Sequence, residues 1–164
     1  MNRYIAGAIG GLLATVPMTI AMGKWHGKLP REEQYPLPPR EITEDIAERL
    51  PVQKPRSDTS MTLLTLAAHF AFGAAAGALW GSVADKNPRP AAGGVVFGGV
   101  VWAASYLGWI PAARILRPAT QHPARRNLLM LAVHCMWGAS TAGWTKVLTE
   151  PRTHGFARKA RQRP

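Results

Sequence analysis

The chain has 164 residues, 47% of them hydrophobic, with 20 Lys and Arg against 9 Asp and Glu for a net charge of +11. Its single cysteine, Cys135, excludes an internal disulfide and a cysteine-based metal site. Such a basic balance would suggest nucleic acid in a soluble protein, but every Lys and Arg lies outside four uncharged stretches that hold more than half the chain, so anionic lipid headgroups are the expected partner and nucleic acid is not.

The four stretches run over 4–23, 60–84, 90–113 and 127–145, which is 20, 25, 24 and 19 residues without an Asp, Glu, Lys or Arg. A bilayer core about 30 Å thick takes roughly 20 apolar residues of helix to cross, and a chain in lipid must satisfy its backbone within helices or a closed barrel. The expected fold is therefore all-α: an integral membrane four-helix bundle forming one domain over residues 1–150.

The first stretch, 4–23, follows Arg3 and ends in Ala21-Met22-Gly23, as a secretory signal does. Its length, its glycines and Pro17 set it apart from a signal core, and it is expected to stay attached. Pro17 predicts a kink, with Thr15 or Thr19 satisfying the freed carbonyl. The link 24–59 carries seven basic and seven acidic residues and six prolines. Between the prolines, Ile42, Ile46 and Leu50 recur at i, i+4 and i+8, which predicts a short amphipathic helix over 41–50 with an Asp45–Arg49 pair. A solvated proline-rich loop is the alternative.

The second stretch carries His69 and a glycine at every fourth position, Gly73, Gly77 and Gly81. A tight link over 85–89 leads to Pro90, which suits the first turn of the third helix, and Gly94 and Gly98 follow. The next link, 114–126, is basic and holds no acid: Arg114, Arg117, Arg125 and Arg126, plus His122. His122-Pro123 marks the start of the fourth helix. The tail 151–164 is basic and expected to be disordered. Trp25, Trp80, Trp109 and Trp144 fall near span ends, as an aromatic belt would; Trp102 and Trp137 fall deeper and are expected to pack in the bundle. With four spans both termini share a side. Nine basic residues on that side against eleven on the other leave the orientation open.

Small residues every fourth position let helix backbones approach closely in lipid. The glycine faces serve either packing within the chain or a homo-oligomer; three such faces in one chain favour the first. His69 and His134 each open the pattern His-x-x-aromatic-Gly-Ala, 65 residues apart, on two spans that start from the same side. At 1.5 Å rise per residue they lie at similar depth. The repeat suggests two helical hairpins related by a pseudo-twofold along the membrane normal. Three readings of the histidines are open. They are neutral rings hydrogen-bonded across helices to Thr15, Thr19, Ser105 or Tyr106; or axial ligands of a b-type haem, with Gly73 and Gly138 making room for the ring; or a proton or metal site. No carboxylate lies in any span, which argues against a carboxylate relay and a hard-cation site.

Three segments carry a resemblance: Pro36-Leu-Pro-Pro-Arg40-Glu41-Ile-Thr43; Trp102-Ala-Ala-Ser105-Tyr106-Leu-Gly108-Trp-Ile-Pro111; and Arg117-Pro118-Ala-Thr120-Gln-His122-Pro123-Ala-Arg125-Arg126-Asn127 running on to His134. Over residue 4 to about 148 the chain resembles small bacterial inner-membrane proteins of the YagU-like group. The resemblance implies a multi-pass protein of the bacterial inner membrane and no established activity. On the two-hairpin model Arg40, Glu41, Arg117, His122, Arg125 and Arg126 gather on one face, above the histidines, where a basic cluster suits a phosphate or anionic headgroup; they are expected to form a polar cap over the bundle in which Glu41 or Glu44 pairs with an arginine. The functional expectation is a membrane protein without enzymatic activity, accessory or handling a small solute or lipid. The rivals are a haem-binding redox protein built on His69 and His134, and a minimal channel or transporter acting as an oligomer.

Overall fold

The computed structural model describes residues 1–50, 57–84 and 89–150. The tail 151–164 and most of the tight link before Pro90 lie outside the described residues. The described chain is helical, with no strand. Helix α1 spans Arg3–His26, α2 Pro38–Arg49, α3 Asp58–Val83, α4 Pro90–Ala103, α5 Ile110–Ala112 and α6 Ala124–Thr149. Local chemistry sets the starts. The Asn2 side chain accepts the Tyr4 N–H at α1, and the Ser57 hydroxyl accepts the Ser60 N–H at α3. Prolines occupy the first positions of α2 and α4, where a missing N–H is harmless. Helix α2 thus begins three residues before the predicted 41–50 segment.

Three helices are long and apolar enough to cross a membrane: α1, α3, and the run from α4 through α5. Helix α6 matches α3 in length but carries Arg125 and Arg126 in its first turn and Lys146 near its end. It is also the most enclosed. Its buried stripe runs from Arg126 through Met130, Val133 and Trp137 to Thr145.

Helix α1 packs against α3 on one side and α6 on the other; α4 packs along α6, and α3 and α4 scarcely touch. The helices therefore follow one another around an open arc, α3–α1–α6–α4. A twofold relating the hairpins α1–α3 and α4–α6 would make the α1–α6 and α3–α4 contacts equivalent. They are not, so the proposed pseudo-twofold does not hold.

The glycine faces meet one another within the chain. A Cβ at Gly7 or Gly11 would strike the carbonyl oxygen of Gly77 or Gly73, and one at Gly94 or Gly98 that of Gly138 or His134. Two interfaces, α1–α3 and α4–α6, are built on this close approach, and a homo-oligomer would have to use other surfaces.

Two local expectations are corrected. In α1, which continues through Pro17, Thr15 and Thr19 bond the carbonyls of Gly11 and Thr15, each at 2.8 Å, and not the carbonyl that Pro17 leaves free. The third stretch is not one α-helix. After Ala103 it widens into a π turn over Ala104–Trp109, with Gly108 at φ −110° and ψ −109°. Pro111, unable to donate to a preceding carbonyl, follows directly. The wider turn buries Ser105 and Tyr106.

Trp80 also departs from the belt assignment. It is 2% exposed and packs on Phe97, ring centroids 5.5 Å apart, whereas Trp25, Trp109 and Trp144 remain exposed.

Candidate functional site

A cavity of about 200 Å³ lies where α3 and the π turn part, beneath α2. Helices α1 and α6 supply Thr15, Met18, Met22, His134 and Trp137. The π turn supplies Ser105, Tyr106 and Trp109, α3 supplies His69 and Phe72, and α2 closes the end with Ile42, Thr43 and Ile46. Of the predicted amphipathic stripe, Ile42 and Ile46 border this cavity, although Ile46 also remains partly exposed, and Leu50 is exposed outside it. Phe72 and Trp109 approach across the gap between α3 and the π turn, ring centroids 6.5 Å apart. Among the described residues no Asp, Glu, Lys or Arg lines the cavity.

Both histidines line this cavity, as their matched depth predicts, but without the hydrogen bonds expected of them. His134 uses Nδ1 on the Met130 carbonyl in its own helix at 2.7 Å. A carbonyl only accepts, so Nδ1 carries the proton and Nε2 keeps its lone pair. The ring stands edge-on to Tyr106, centroids 5.9 Å apart. His69 Nε2 is buried with no partner among the described residues, a condition that costs about 1–3 kcal/mol unless something supplies one. Gly73 and Gly138 do not leave room for a haem ring. A Cβ on Gly73 would strike the Thr15 hydroxyl, and one on Gly138 the Gly94 carbonyl, so neighbouring helices already fill those positions.

The basic residues expected in one cluster divide. Arg126 is 2% exposed. Its guanidinium lies 3.7 Å from the centroid of the Tyr35 ring and donates to the carbonyls of Glu33 and Tyr35, at 3.0 Å each, and of Pro36. The Tyr35 hydroxyl meets His122 Nδ1 at 2.7 Å, while His122 Nε2 faces the Arg117 carbonyl at 3.3 Å. One tautomer fits both: Nε2–H donates to Arg117, and Nδ1 accepts from the phenol. Burial pushes the Tyr35 hydroxyl above its usual range, against the pull of Arg126, which keeps the phenol a donor. Burial also raises the Glu41 carboxyl, opposed by Arg126 and His122. Tyr35, Glu41, Arg117 and His122, with Ile115 and Leu116, border a second pocket of about 520 Å³, polar and apolar in equal measure.

Arg40 is elsewhere. It bonds Glu44 in its own helix, and Asp58 at 2.7 Å and Thr62 at 3.2 Å on α3. Arg125 is exposed. The first link is thus tied to the third, but backbone carbonyls, not carboxylates, receive the arginine. Among the described residues no carboxylate pairs with Arg117, Arg125 or Arg126. Arg49 adds a tie that sequence reasoning missed, donating to the carbonyls of Ala113 and Arg114 at 2.7 and 2.8 Å while keeping its predicted pairing with Asp45. Comparison with family models, with curated proteins and with solved structures finds no match for this chain.

Proposed function

We propose that the chain is a four-span membrane bundle without enzymatic activity that holds a small solute or lipid group in the cavity beneath α2. The observation that carries this reading is the cavity itself: largely apolar, sided by two histidines, and placed where α3 and α4 separate. Helix α6 belongs among the spans on this reading, although it is the least apolar of the long helices. It faces α1 and α4 more than its surroundings, and a helix enclosed by protein can carry polar groups that a lipid-facing one cannot. The cap formed by α2, Tyr35 and Arg126 then lies at one membrane surface, with basic side chains toward headgroups. The bacterial inner-membrane placement rests on the YagU-like motifs and belongs to the same proposal.

The test is photolabelling in proteoliposomes with a diazirine-bearing fatty acid. Label at the buried lining residues Met18, Thr43 or Tyr106 is expected. Label confined to outward positions such as Leu63, Leu79 and Val96 would overturn the cavity reading.

A second reading, b-type haem ligation, is favoured by one observation: both histidines reach the same cavity. The filled positions at Gly73 and Gly138 oppose it. A Soret band in protein purified with haem supplied would restore it.

A further inference from the structure

Resting on the reading that this cavity is a ligand site, we propose that it binds a soft monovalent cation, Cu(I), through the imidazoles of His69 and His134 and the thioethers of Met18 and Met22. The four side chains come from three helices and line one cavity of about 200 Å³. Met18 and Met22 are four residues apart on α1, so they share a face, and both are buried. His134 is held as metal-ligating imidazoles usually are, its other ring N–H fixed by a carbonyl, here that of Met130. That leaves Nε2 as the donor atom. His69 Nε2 is buried and has no hydrogen-bond partner among the described residues.

The donor set selects the ion. Hard cations want several oxygen ligands, carboxylates above all, and among the described residues no carboxylate lines the cavity. Zinc sites use thiolate, imidazole and carboxylate. The sole thiol is not a lining residue: Cys135 Sγ would lie 3.9 Å from a Cβ at Gly99, on the α4 side of α6. Neutral imidazole and thioether donors select Cu(I). A single positive charge is also the least that any metal ion can bring into so apolar a space.

The experiment uses the full chain in detergent, in a Cys135→Ser background so that the thiol cannot compete. Cu(I) is offered as its bicinchoninate complex, and its withdrawal is followed by loss of the complex's colour. One equivalent should be withdrawn. Met18→Leu and Met22→Leu conserve volume and should leave the melting temperature nearly unchanged, yet each should weaken binding at least about tenfold, as should His69→Leu and His134→Leu. X-ray absorption at the copper edge should show both nitrogen and sulfur neighbours. Affinity indifferent to the methionine variants, or a shell of nitrogen and oxygen alone, would overturn the assignment. If no Cu(I) is withdrawn while the diazirine fatty acid still labels the cavity, the ion assignment falls and the cavity reading stands. If neither enters, both fall.

Discussion

Arg126 and Arg125 are neighbours in sequence and opposite in role. Arg126 falls on the stripe that continues through Met130, Val133 and Trp137, the buried face of α6, while Arg125 is turned about 100° away into solvent. Charge alone does not separate them; the helical phase of the apolar residues does, and extending that phase back into the basic link places Arg126 inside. Arg126→Ala should lower stability by about 3 kcal/mol or more, because it leaves three carbonyls without their charged donor. Thermal unfolding in detergent would read this, with Arg125→Ala shifting stability by no more than about 0.5 kcal/mol. Equal effects at the two positions would contradict the assignment. Glu41 gives a pH prediction. Burial raises its carboxyl above 4.5, so across that window the folded chain holds a proton that the unfolded chain has lost. Its contribution to stability therefore falls as pH rises through the window and stays lower above it. Glu41→Gln should raise the melting temperature at pH 7 and have little effect well below pH 4.5. A lower melting temperature at pH 7 would mean that the attraction of Arg126 and His122 outweighs burial.

At the scale of elements, the periodicities were informative where one face dominates. The glycine repeats of α1, α3 and α4 read as close-approach faces and do serve that purpose, because spacing of four residues places them on one side of a helix whatever the partner. Which helix they meet is not in the spacing. That depends on how four helices share their faces, and it separates the observed arc from the symmetric hairpin pair suggested by His69 and His134. The π turn was hidden for a related reason: 90–113 is uncharged throughout, and apolar composition does not distinguish an α turn from a wider one. The only local sign was Gly108 three residues before Pro111. Met18 and Met22 were readable as apolar positions, but their place beside the histidines depends on the α1–α6 contact. Substitution separates the glycines. Gly77→Ala and Gly98→Ala would drive a methyl into backbone that cannot yield, at about 1–3 kcal/mol. Gly143→Ala meets nothing within 4 Å and should be neutral, or stabilising by up to about 1 kcal/mol through helix propensity. Melting curves for the three variants check this, and a stable Gly77→Ala protein would mean that α1 and α3 sit farther apart.

For the whole molecule, apolar length marks three helices as able to cross a membrane, and in the proposed bundle α6 is the fourth because of the way it packs. Its polar residues, His134, Thr141 and Thr145, are buried against neighbouring helices, where lipid would not have to solvate them. The sidedness of the chain turns on this one helix. With four spans, Asn2 and Glu150 lie on the same side and α2 lies on the other; with three, Glu150 moves to the side of α2. The direct measurement is labelling of single cysteines, in the Cys135→Ser background, by a membrane-impermeant maleimide in sealed vesicles of one orientation. The account predicts that Asn2→Cys and Glu150→Cys label from one side and Glu48→Cys only from the opposite side. Labelling of Glu150→Cys and Glu48→Cys from the same side, with Asn2→Cys protected, would contradict the four-span bundle.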